Sequence, residues 1–261
     1  MSNQAAVLIR LVLAAVSAAL VFIATTAFSI YVPLTRGFFN IGETMIYAMA
    51  LLFGPLIGSF AGGVGASLAD VYLGYWYFAP ATLVIKACEG AIVGLLGHGR
   101  PSLSPKLWKT FTFVLGLIIG ALLATIGSLY YTGVVQLSIG LPPPATPNVN
   151  FYVPTIFWYL LGAAAILLIT LAGFILNPEA GWPIFPMLIG GSVMVVGYYL
   201  YERFLLFPLF GIAVIAEPEI PINVGQMIIG LAVALPIVRF VGPSVPQLSR
   251  IKTRLSRVAR Q

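Results

Sequence analysis

The stretch IGETMIYAMALLFGPLIGSFAGGVGASLADVYL, residues 41–73, decides how this chain folds. It is apolar almost throughout, yet Gly54-Pro55 divides it directly after Phe53. Proline lacks a backbone N–H and turns the residue before it away from helical geometry, so one helix ends here and another begins with no room for a loop. The first piece, 41–53, is short: about 13 residues reach roughly 20 Å at the rise of an α-helix, against a hydrocarbon core of about 30 Å. It therefore needs neighbours to shield it. With 56–73 it is expected to form a hairpin buried partly against other helices.

Outward from this hairpin, Gly, Pro and charge clusters divide the chain into further apolar runs at 7–31, 80–96, 107–135, 153–176, 182–209 and 222–241, making eight segments in all. The 261 residues are 60% hydrophobic and 8% charged, whereas a soluble domain carries roughly 25% charge. Mean hydropathy is +1.04. Lipid is the solvent that accepts such a surface, and the expected fold is an all-α integral membrane protein in one domain spanning 1–261. The first run is too long for a signal-peptide core and reads as a retained helix. The lone Cys88 excludes an intrachain disulfide and behaves as a small hydrophobe.

The net charge of +6 carries topology rather than a nucleic-acid site. With the N-terminus inside, Arg10, Arg100, Lys106, Lys109, Arg239 and the tail cations Arg250, Lys252, Arg254, Arg257 and Arg260 fall on the cytoplasmic side, leaving Arg36, Lys86 and Arg203 in the outer half. This bias places both termini in the cytoplasm of a multi-pass cell-membrane protein. The basic tail, 242–261, is suited to anionic inner-leaflet lipid. The charge-free, proline-rich connection 138–150 reads as a stiff, extended outer loop.

Charged groups inside membrane helices face a cavity or a partner, and here they share a depth. Glu43, Asp70, Lys86, Glu202, Asn223 and Gln226 all fall in the outer third, with Glu89 one turn deeper, describing a polar pocket open outward and closed inward. Lys86 and Glu89 stand three apart, so they either neutralise each other or hold a ligand. Glu202 and Arg203 point about 100° apart on a helix, and Glu202 is the one expected in the pocket. Phe38, Phe39, Tyr47, Tyr75, Trp76, Tyr77 and Tyr198 crowd the same level. Flat rings suit a flat ligand, although Tyr and Trp also collect at membrane interfaces.

Small residues form stripes. Gly54, Gly58 and Gly62 recur every four residues, as do Ala14 with Ala18 and Ala15 with Ala19 on the first helix. Each stripe suits either internal packing or docking of another membrane protein. His98 is the single histidine, so no multi-histidine metal site is expected. No phosphate-binding P-loop occurs, so an ATP-driven process needs a motor on other chains.

Several motifs, taken in order, resemble a known family: GFFNIGE (37–43), ALLFGPLIG (50–58), AGGVGASLAD (61–70), YFAPATLVIK (77–86) with EG (89–90), then GYYLYE (197–202) and IPINVGQ (220–226). Together they are similar to the S components, the substrate-binding membrane subunits, of energy-coupling factor (ECF) vitamin transporters. The resemblance covers the first hundred residues and the last eighty. It implies a six-helix capture module that binds a vitamin or precursor at the outer surface, is not an enzyme, and holds no cofactor of its own. A transmembrane coupling subunit and two cytoplasmic ATPases use the ATP, and the S component topples in the membrane to release its cargo. Carried over, Ala14, Ala15, Ala18 and Ala19 become the docking stripes, and Asn40, Glu43, Lys86, Glu202 and Asn223 the pocket. Glu43 stands where Asp is more usual. With the residues read directly, the expected ligand set is Phe39, Asn40, Glu43, Tyr47, Tyr75, Trp76, Lys86, Tyr198, Glu202, Asn223 and Gln226. On this frame 7–97 holds four core helices and 182–241 the last two, while 107–176 is an inserted pair. An intramembrane enzyme acting on lipid through Asp70, Glu43 and Lys86, and a self-sufficient secondary transporter, are the rival readings.

Overall fold

A computed structural model describes residues 3–99, 103–139, 148–176 and 178–244. Arg100, the loop residues 140–147 and the tail beyond 244 lie outside the described residues. The chain begins with α1 (Asn3–Ala27), which ends four residues earlier than the apolar run because the next stretch is a hairpin of β1 (Ser29–Val32) and β2 (Gly37–Asn40). The short helix α2 (Glu43–Phe53) follows, then α3 (Pro55–Phe60), a π-helical segment Ala61–Gly65 and α4 (Ala66–Tyr72), which together form one return leg. Gly54 alone joins the legs at φ 96°, a backbone angle natural only to glycine. The expected hairpin is present, and α2 is shielded as its length requires, with seven of its residues buried.

The remaining helices are α5 (Ala79–His98), α6 (Pro105–Tyr130), α7 (Thr155–Ile175), the one-turn α8 (Pro178–Gly181), α9 (Ile184–Leu200) continued by a π segment Tyr201–Leu205 and α10 (Leu206–Phe210), and finally α11 (Glu219–Val241). Six of the described stretches are long and apolar enough to cross a membrane: Val7–Ala27, Ala79–His98, Pro105–Tyr130, Thr155–Ile175, Ile184–Phe210 and Glu219–Val241. The α2 to α4 hairpin stands among them.

The run 107–135 is not one helix. It breaks after Tyr130, and β3 (Gly133–Ile139) pairs with β4 (Asn148–Val153), so both flanks of the expected extended loop are strands. The four strands form one antiparallel sheet in the order β2-β1-β3-β4, with Ile30 opposite Ile139 and Tyr31 opposite Ser138 where the two hairpins meet. The sheet caps one end of the helices, and the described chain starts and finishes at the other.

Glycine lets the return leg lie against α5. A Cβ at Gly62 would stand 2.6 Å from the Lys86 carbonyl oxygen, and one at Gly58 would stand 2.8 Å from that of Gly90. The glycine stripe is thus internal packing. Below the sheet, Ile46, Tyr47, Ala50, Val93 and Met187 form an apolar plug toward the far end. The α6–α7 pair packs through Ile119, Leu123 and Ala165 onto α9 and α11.

Candidate binding cavity

β2 leads the chain down from the sheet into the helix bundle, and this descent creates the site. Gln226, two turns into α11, accepts a hydrogen bond from the Asn40 backbone N–H at 3.2 Å. The Asn40 side-chain oxygen then accepts from the Gly42 N–H at 2.8 Å and turns the chain into α2. Glu43 therefore starts its helix at depth. A cavity under the sheet is lined by Phe38 and Asn40 of the hairpin, Glu43 of α2, Asp70 of α4, Phe78, Thr82 and Lys86 around α5, Tyr198 and Glu202 of α9 and its π extension, and Glu219, Asn223 and Gln226 of α11.

Its floor is charged. The Lys86 ammonium donates to Glu43 Oε1 and lies 3.1 Å from Glu89 Oε2, with all three side chains almost wholly buried. The alternative of a simple Lys86–Glu89 pair is therefore incomplete, because Glu43 from another helix joins it. Two carboxylates around one ammonium offset part of the several kcal/mol that each buried charge costs. Lys86 also lies 5.5 Å from the centre of the Tyr198 ring, whose hydroxyl meets that of Thr82 at 2.9 Å. Gln226 donates to the Asn223 side-chain oxygen at 2.8 Å, leaving the Asn223 amide nitrogen without a protein acceptor.

The upper wall is aromatic and acidic. Glu202 is buried and Arg203 is exposed, since they fall on opposite sides of the π segment. Glu219 sits under the sheet, with a carboxylate oxygen 3.1 Å from where a Cβ on Gly37 would be. Tyr131, just past α6, donates to the Pro218 carbonyl at 2.8 Å beside it. Burial, and then the charge of Glu219, push this phenol above its ordinary range, so it stays protonated as a donor. Burial likewise pushes Tyr77 up to about 12, and its hydroxyl donates to the Arg36 carbonyl at the hairpin turn, 3.1 Å away.

Several expected ligand residues stand elsewhere. Phe39 points away from the cavity toward Phe28, and its neighbour Phe38 lines it, because successive strand residues face opposite sides. Tyr75 is stacked on Phe38 at 4.5 Å and faces Tyr31 at 6.5 Å, so it roofs the site without lining it. Trp76 is 57% exposed and packs on Phe210. Tyr47 lies in the apolar plug below the floor. Asn40, Glu43, Lys86, Tyr198, Glu202, Asn223 and Gln226 are brought together. Asp70, Thr82, Phe78 and Glu219 complete the lining; Asp70 shares the depth that singled out the others, whereas Glu219 carries no comparable signal among loop residues.

On α1 the two alanine stripes separate. Ala18 is buried, its carbonyl oxygen 2.5 Å from where a Cβ on Gly65 would lie, and Ala14 is half-buried. That stripe is internal packing and is not a free docking face. Ala15 and Ala19 are exposed. Among the described residues, no three His, Cys, Asp or Glu side chains converge as metal ligands.

The described residues thus form a multi-pass helical bundle with a buried polar cavity beneath a capping sheet, and the sequence comparisons say which family it belongs to. Residues 7–172 match the family model described as the ECF-type riboflavin transporter S component, and the chain belongs to that family. It is accordingly a substrate-binding transporter subunit of vitamin-transporter type and not an enzyme. The match runs through α6 and most of α7. The chain is also 42% identical over 107 residues to a Pyrococcus woesei protein named "Uncharacterized protein in gap 3'region", covering 41% of this chain and 67% of that one. No solved structure matches.

Proposed function

We propose that this chain captures a vitamin-like molecule in the cavity under the sheet and delivers it through a separate ECF module, with riboflavin, named in the family's description, as the first ligand to test. The observation that carries the reading is the cavity itself: side chains from six helices, Thr25 of α1 included, converge with buried, incompletely satisfied polar groups, above a charged floor and an apolar plug. Ligand sites combine an apolar frame with a few placed polar groups in this way. In a membrane such buried polarity is costly unless it is used.

In this reading the sheet end faces outward and both termini lie in the cytoplasm, an orientation supported by the cation bias of the sequence. The floor then blocks passage through the chain, so release requires movement of the whole subunit on its coupling partner. Ala15 and Ala19 form the face offered to that partner, and the ATP is used by two cytoplasmic ATPases. The chain itself needs no cofactor.

The test is titration of the purified chain with riboflavin, read by quenching of flavin fluorescence, together with mass spectrometry of small molecules that co-purify. Saturable binding with a Kd of about 1 μM or tighter is expected. A folded chain that binds no water-soluble micronutrient overturns the reading. Ala15→Trp with Ala19→Trp should leave binding intact and abolish ATP-dependent uptake. Uptake by the chain alone, without partner subunits, would instead establish a secondary transporter.

A further inference from the structure

The cavity's hydrogen-bonding capacity is lopsided. Glu43, Asp70, Glu202 and Glu219 line it against a single ammonium, that of Lys86, which is already committed to Glu43 and Glu89. Neither oxygen of Glu202 meets a protein donor, and the same holds for Glu219 Oε2, Asp70 Oδ2 and Glu43 Oε2. On the donor side, the Asn223 amide nitrogen is the lining group left without a protein acceptor. These side chains are 5% exposed or less, so bulk solvent does not level the imbalance. Arg203 and Arg36, the nearest cations in sequence to this wall, are exposed and do not supply the missing charge.

Buried acceptors of this kind are satisfied by donors on whatever occupies the space. A carboxylate or phosphate would instead bring further acceptors and negative charge to a wall of carboxyl groups, which is unfavourable in a low-dielectric site. Protonating a carboxyl would lift its charge repulsion and add one donor, but each would still keep an acceptor oxygen for a ligand donor, so the exclusion of anions depends on ionised carboxylates. Of the lining acids, Glu202 leaves both oxygens uncommitted, and Glu219, under the sheet beside Gly37, leaves Oε2. The π segment Tyr201–Leu205 sets Glu202 on the buried side while its neighbour Arg203 stays outside.

Resting on the capture reading, we infer that Glu202 and Glu219 hold a ligand end carrying several O–H or N–H donors and no negative charge, so that phosphorylated and carboxylated molecules are excluded. A polyol chain and a protonated amine or amidine share that chemistry.

Equilibrium binding to the full chain in detergent separates the possibilities with paired probes. Riboflavin against flavin mononucleotide tests the polyol, thiamine against thiamine phosphate tests the cation, and biotin and pantothenate represent carboxylates. One unphosphorylated member should bind about 100-fold more tightly than its phosphate ester, the scale of burying like charges together. Glu202→Gln and Glu219→Gln, which preserve shape, should each weaken that binding by about tenfold, as for the loss of one charge-assisted hydrogen bond. They should also narrow the discrimination against the phosphate ester. A phosphate ester bound as tightly as its partner, or a carboxylate as the preferred ligand, overturns this inference and leaves capture standing. Unchanged affinity and selectivity in both Gln variants overturn the assignment to these residues. A monodisperse chain that binds no member of the panel overturns the capture reading and this inference with it.

Discussion

The long helices around the cavity and the α6–α7 pair are all apolar enough to cross a membrane, the pair more so at a mean hydropathy of 2.2 against 1.6 for α5, and they are built on opposite rules. Around the cavity, α2, α5, α9 with its π extension, and α11 bury Glu43, Lys86, Glu89, Glu202, Glu219, Asn223 and Gln226. In α6 and α7 the charged residues, Lys106 and Lys109, lie near the start of α6, and the contact between the helices is made by small groups such as Gly116, Gly120 and Gly162. Thr112 and Thr125 return their hydroxyls to their own helix, at the Trp108 and Ala121 carbonyls, and Thr170 Oγ1 on α7 is buried without a protein partner. Buried charge, by contrast, is gathered around the cavity, where a ligand can use it. Where only lipid and another helix are met, close packing suffices.

The largest effect should come from breaking the charged floor. Lys86→Met leaves Glu43 and Glu89 facing each other without a cation, and removing one partner of a buried ionic group typically costs about 3–5 kcal/mol. Thermal unfolding in detergent should show a steep loss of stability together with loss of ligand binding; adding Glu43→Gln and Glu89→Gln should largely restore the stability but not the binding. Leu168→Ala, on the 66% exposed outer face of α7, is the matched control and should do almost nothing. If the two variants behave alike, the ionic floor does not organise the cavity.

A disturbance of comparable bulk in the other region should be milder and of a different kind. Gly120 and Gly162 approach so closely that a Cβ on either would lie 2.5 Å from the other's carbonyl oxygen. Gly120→Leu should separate the pair and cost about 1–3 kcal/mol, the usual penalty of overpacking. Ligand affinity should change much less than stability, because no cavity-lining residue belongs to α6 or α7. Equal losses in both measurements would show that the pair shapes the site and does not merely stand beside it.

The same contrast explains what could be read in advance. The helices were legible because apolar runs and Gly-Pro punctuation survive in a linear string, and buried charge stands out against an apolar background at Glu43, Lys86 and Glu202. The strands were not legible: SIYV (29–32) and GVVQLSI (133–139) continue apolar runs begun by helices, and over a few residues hydrophobicity alone does not distinguish the two. Missing the strand at GFFN (37–40) also exchanged Phe38 for Phe39, since the alternation of faces belongs to strands. The Glu43–Lys86 contact joins residues 43 apart and no local pattern announces it. Glu219 became a lining group only when α11 was seen to begin beneath the sheet.

Where the two regions meet, the expected effect is smallest and the most informative about coupling. β1, whose hairpin partner β2 lines the cavity, pairs on its other edge with β3, the strand that follows α6. Tyr131 fastens this junction twice: its hydroxyl donates to the Pro218 carbonyl at 2.8 Å, and its carbonyl accepts from the Trp158 indole at 2.7 Å. Tyr131→Phe removes the first bond and keeps the second, at a cost of about 1 kcal/mol for a typical net hydrogen bond. If the α6–α7 pair steadies the roof through this junction, stopped-flow measurement should show faster ligand release, by no more than about tenfold for an effect of that size. The association rate should change less. Unchanged release with a small loss of stability would mean that the hydroxyl only tethers the start of α11, and that the pair serves the fold while the cavity keeps its ligand without it.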